Sequence, residues 1–121
     1  MFHVKRLKVS YKKILKVRES IMDIKNAKEW LLDILKQYRD CNLLSKEVDK
    51  LINEIVIKRV EKCKEQDFEN MIQTLPKSHK KHILNVLNDE YYYFNKHVLQ
   101  EYRESGERAF KDLWLLLKET N

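Results

Sequence analysis

Two histidines three positions apart, His79 and His82, two cysteines, Cys41 and Cys63, and the glutamates Glu101, Glu104 and Glu107 are the residues whose types could do chemistry. A His pair at i and i+3 can share one helix face and hold a metal. Zinc and di-iron sites need further ligands, and neither an HExxH nor a Glu-x-x-His pattern accompanies these histidines, so no metal is expected. His3 and His97 stand alone and read as surface groups. The cysteines lack CxxC spacing and read as small hydrophobes or surface thiols in a reducing compartment. The three glutamates share a helical face with Arg103 and Arg108 close enough to pair with them, which is the pattern of a solvated salt-bridge face. No Ser or Cys has the base and oxyanion donors of a nucleophile. The sequence therefore predicts a protein without catalytic residues or cofactors.

Charge is distributed unevenly. Residues 1–18 hold seven Lys or Arg and no Asp or Glu, whereas the rest of the chain holds 18 basic and 19 acidic residues. Lys5, Lys8, Lys12 and Lys16 recur in steps of three and four, with Arg6 and Lys13 beside them. Leu7, Tyr11, Ile14 and Ile21 form an apolar stripe on another face. Such a cationic amphipathic helix can follow nucleic-acid phosphates, meet an acidic protein or simply stay solvated; an anionic membrane surface is a poorer fit. Lys77, Lys80 and Lys81, with His79 and His82, are expected at a helix N-terminus. There they oppose the helix dipole and invite a compensating anion.

Tyr91, Tyr92, Tyr93 and Phe94 are consecutive, and four consecutive helical positions sweep about 300° of the helix surface. They cannot all face one core. Tyr offers a large apolar area with a polar tip and is enriched at interfaces, so this run is a candidate partner-binding surface. The run from Leu113 through Trp114 to Leu117 has the same all-round apolar character, and Trp114 joins the candidate surface. A larger bundle core would account for both runs equally.

These residues must be carried by helices. One Gly and one Pro in 121 residues leave almost no material for tight turns or Gly-rich loops, and β-architectures need turn residues every 8–12 positions. The expectation is an all-α, compact bundle of three to five long helices with short antiparallel connections, forming one domain over residues 1–121. A helix break near Asn26, with Asn26 and Glu29 as a capping pair, competes with one helix running to about Tyr38. Asp40–Ser45 reads as a connection capped by Ser45. Apolar spacing from Val48 to Leu75 predicts one helix, ended by Pro76, and Ser78 should cap the next. Gly106 either ends a helix or marks a close approach inside one. No apolar run approaches the roughly 18 residues of a membrane span, so a cytoplasmic protein is expected.

The functional expectation is a non-enzymatic binding or regulatory protein acting through protein–protein contacts, including self-association into a dimer. The alternative is a nucleic-acid-binding module that uses the basic N-terminal helix and the Lys77–His82 turn.

Overall fold

The computed structural model describes residues 22–118, which form five helices and no strand. Helix α1 spans Ile24–Asp40. Helix α2 comprises Lys46–Leu51, a π-helical segment Ile52–Ile57 and Lys58–Lys62. Helix α3 spans Glu65–Gln73, α4 Lys77–His97 and α5 Gln100–Lys118. The helices pack on one another as a compact all-α bundle. No helix among the described residues is long and apolar enough to cross a membrane. The N-terminal lysine strip Lys5, Lys8, Lys12, Lys13 and Lys16 lies outside the described residues.

Helix α1 starts earlier than the Asn26 capping pair predicts. Asp23 is the cap, its carboxylate accepting from the Asn26 amide at 3.2 Å. Asn26 thus sits inside the helix, and its side chain is used elsewhere. The helix ends at Asp40, and Asn42 takes a left-handed φ of 54°, which Asn tolerates better than most residues. Ser45 then caps α2 by accepting from Val48 N. Helices α1 and α2 run antiparallel, since Lys28 reaches the Cys63 carbonyl, Lys36 pairs with Glu61 at 2.7 Å and Arg39 donates to Asn53 at 3.2 Å.

The single helix expected from Val48 to Leu75 is broken, because Cys63 and Lys64 are both extended. No Gly or Pro marks this point. Charge does: Arg59 and Lys62 complement the carbonyl end of α2, and Glu65 and Asp67 complement the amide end of α3. The same inversion marks a second break, where Lys96 and His97 close α4 and Glu101 opens α5 on either side of Val98 and Leu99. Leu75 and Pro76 end the α3 segment as expected. Pro76, however, is itself the residue before α4, and Ser78 lies within the helix without a capping bond.

Apolar side chains from all five helices meet in one core, with Leu31, Leu35, Ile52, Phe68, Ile72, Ile83, Leu87 and Leu113 fully enclosed. Gly106 is buried inside α5 at the contact with Phe94 and Trp30, so it marks a close approach and not a helix end.

Candidate functional site

The aromatic run divides as the 100° helical step requires. Phe94 is buried and Tyr91 half-buried, while Tyr92 and Tyr93 remain 57% and 54% exposed. Tyr91 packs edge-on against Trp114 at 4.9 Å and Phe110 at 5.0 Å, and its hydroxyl donates to Glu107 at 3.3 Å. Trp30 meets Phe94 edge-on at 5.8 Å, completing an aromatic cluster shared by α1, α4 and α5. Of the four sequence candidates, Tyr91 and Trp114 thus serve the packing between helices. The Trp114 Nε1 atom is buried there without a hydrogen-bond partner among the described residues.

Tyr92 and Tyr93 stand on the opposite side of α4 with rings 5.3 Å apart. Each is braced from one turn further along the helix. Lys96 Nζ donates to the Tyr92 hydroxyl at 2.8 Å and lies 4.3 Å from its ring centroid, and His97 stacks on Tyr93. Such bracing fixes large aromatic surfaces in solvent. Leu43, 60% exposed in the α1–α2 connection, faces the tyrosines across an open cleft of about 410 Å³ lined by Tyr38, Leu43, Asp89, Tyr92 and Tyr93. A second depression of about 390 Å³ shares Tyr38, Leu43 and Tyr93 and extends to Trp30, Glu90, His97 and Val98. The two form one aromatic groove between α1, its following turn and α4.

Tyr38 and Glu90 both line this groove, with the Tyr38 hydroxyl and the Glu90 carboxylate near enough to influence each other's titration. Burial, with the nearby carboxylates Glu90 and Asp89, pushes the Tyr38 pKa up to about 12, so it stays a neutral donor. Burial also raises the Glu90 pKa, and the neighbouring Tyr38 hydroxyl offsets part of that rise. Leu43 gives no signal in the sequence, because a Leu-Leu pair in a connecting turn carries no helical periodicity.

The lysines at the start of α4 separate. Lys77 and Lys81 are exposed, whereas Lys80 is only 5% exposed and donates from Nζ to the Gln73 carbonyl at 3.0 Å. Lys80 is therefore tied to the end of α3, where its charge complements the free carbonyls. On α5 the glutamates Glu101, Glu104 and Glu107 are exposed as expected, but the expected pairing with Arg103 and Arg108 is not made among the described residues. Arg103 lies over the Phe94 ring and donates to the Asn95 carbonyl, and the ion pairs among the described residues are Lys36–Glu61 and Arg39–Asp40. Among the described residues no group of three or more His, Cys, Asp or Glu is placed to hold a metal.

The chain matches no family model, no curated protein and no solved structure.

Proposed function

We propose that this chain is a non-enzymatic helical binding or regulatory protein that works through protein–protein contacts at the groove of Leu43, Tyr92 and Tyr93. The observation that carries this reading is that two adjacent tyrosines, each braced by its own helical neighbour, are held more than half exposed beside an aromatic cleft. Surface tyrosines with restricted rotamers lose little entropy on binding and bring large apolar area, which is why they recur as interface anchors.

The test compares wild type with Tyr92→Ser/Tyr93→Ser as bait in native lysate with and without nuclease treatment, alongside sedimentation of both proteins over a range of concentrations. The reading requires a captured protein, or a concentration-dependent increase in mass, that the double variant loses. Equal capture and equal mass for both proteins would refute it. Capture that disappears on nuclease treatment and is insensitive to the tyrosines would replace it with nucleic-acid binding through Lys77, Lys81 and the N-terminal lysines.

A further inference from the structure

Asp89 and Glu90 supply the groove's carboxylates, and neither has an ion-pair partner among the described residues. Among the described residues no lysine or arginine lines either depression, and His97 lies at the wall of the second. Lys96, on the same helix, is turned onto Tyr92. The groove thus joins an exposed aromatic surface to two carboxylates without an ion-pair partner among the described residues, one of them partly buried. A carboxylate in such surroundings gains most from a cation, because the attraction is screened less there than in open water.

The chain carries a segment of matching chemistry. Residues 5–18 contain seven Lys or Arg, no acidic residue, and Leu7, Tyr11 and Ile14 at helical spacing. We propose that this segment docks in the groove of its own chain. Its cations meet Asp89 and Glu90, and its apolar residues cover Leu43, Tyr92 and Tyr93. The inference rests on the groove being the partner site, and it makes the segment an internal competitor for that site. Reach is not limiting. Tyr38, at the end of the groove beside Leu43 and Asp89, is 14 residues beyond the start of α1, about 21 Å along the helix axis, a distance that about seven extended residues cover.

The test uses the full chain at low salt with a carbodiimide, which joins a lysine amine to a carboxylate in contact with it, followed by peptide mass spectrometry of the monomeric fraction. The expected products link Lys8, Lys12 or a neighbouring lysine to Asp89 or Glu90. They should be lost in Leu43→Ser/Tyr93→Ser, which leaves both carboxylates in place, and lost in wild type at 1 M salt, where the Debye length falls to about 3 Å. Links confined to a dimeric fraction, links scattered evenly over surface carboxylates, or links unchanged in the groove variant would each overturn the proposal. Lys8→Glu/Lys12→Glu/Lys16→Glu should also increase partner capture by the groove, and unchanged capture would count against competition. The two readings fail separately. If the links are absent but Tyr92→Ser/Tyr93→Ser still abolishes capture, only the internal competitor is lost. Specific links with capture insensitive to those tyrosines would remove the partner site and leave the docking.

Discussion

The Phe94 ring fills the space in which a side chain at Gly106 would begin. A Cβ built on Gly106 would meet the ring edge, with Phe94 Cζ at 2.6 Å and Trp30 Cη2 at 3.0 Å. A glycine inside a helix costs about 1 kcal/mol relative to alanine, so its presence in α5 reflects this contact and not helix propensity. Gly106→Ala should destabilise the fold by about 1–3 kcal/mol through overpacking against two aromatic rings. Urea unfolding checks this, and Phe94→Leu should remove most of the penalty when combined with Gly106→Ala. Equal stability of wild type and Gly106→Ala would show that the rings move aside freely.

Ser105, one residue earlier, closes a polar clasp between α5 and the first turn of α1. Its hydroxyl donates to Asn26 Oδ1 at 2.6 Å and accepts from Trp30 Nε1 at 3.1 Å, while Asn26 Nδ2 donates to the Ser105 carbonyl at 2.9 Å. Ser105→Ala leaves one donor and one acceptor unpaired in a partly buried site. The expected loss is about 1–3 kcal/mol in denaturant unfolding, with the Trp30 fluorescence environment altered in the folded state.

Lys80 and Lys81 are neighbours in sequence with opposite fates, and alanine substitution should separate them. Lys80→Ala removes the charged donor at the Gln73 carbonyl and a buried stem, for a loss of about 2 kcal/mol. Lys81→Ala, at an exposed position, should stay within about 0.5 kcal/mol of wild type. Thermal unfolding of the two variants side by side distinguishes them.

Much of this architecture was legible in the residues, and the gaps have a common cause. Scarce Gly and Pro gave the all-helical class, and Ser45 and Pro76 marked two of the boundaries. The breaks at Cys63–Lys64 and Val98–Leu99 were hidden because apolar spacing continues across them, so the periodic signal of a core-facing stripe outweighed the weaker signal of charge inversion at helix ends. Asp23 and Asn26 are both good caps, and sequence spacing alone could not reveal that Ser105, 79 positions away, claims the Asn26 side chain. Within the candidate site, the helical step explains why Tyr91 turns inward while Tyr92 and Tyr93 turn outward, but which face met the core depended on where α5 packs. Lys80 could not be told from Lys77 and Lys81 until the end of α3 was placed beside it.

Glu90 links the groove to pH. Burial raises its folded-state pKa above the ordinary value of 4.5, so the folded protein holds this proton more tightly than the unfolded chain. Its contribution to stability is fully present below pH 4.5 and is lost as pH rises through the raised value. At neutral pH the partly buried charge is a cost that Glu90→Gln removes. Glu90→Gln should therefore unfold at higher urea than wild type at pH 7, with the difference shrinking as pH falls toward 4.5. A difference that is independent of pH would show that Glu90 titrates alike in the folded and unfolded chains.

Tyr92 and Tyr93 should behave as surface residues toward stability and as anchors toward binding. Their exposed rings touch mainly each other, Lys96 and His97, so Tyr92→Ser/Tyr93→Ser should leave the unfolding free energy within about 1 kcal/mol of wild type. Tyr91→Ser is the contrasting control, because Tyr91 packs against Phe94, Phe110 and Trp114 in the cluster that joins α4 to α5. Its loss should cost about 3 kcal/mol, at the lower end of aromatic truncations in a core. Measured together, the two variants separate a binding surface from a folding surface within three consecutive residues. If the outward pair proved as destabilising as Tyr91→Ser, the exposed tyrosines would be part of the fold's own packing, and loss of partner capture in that variant would carry no information about an interface.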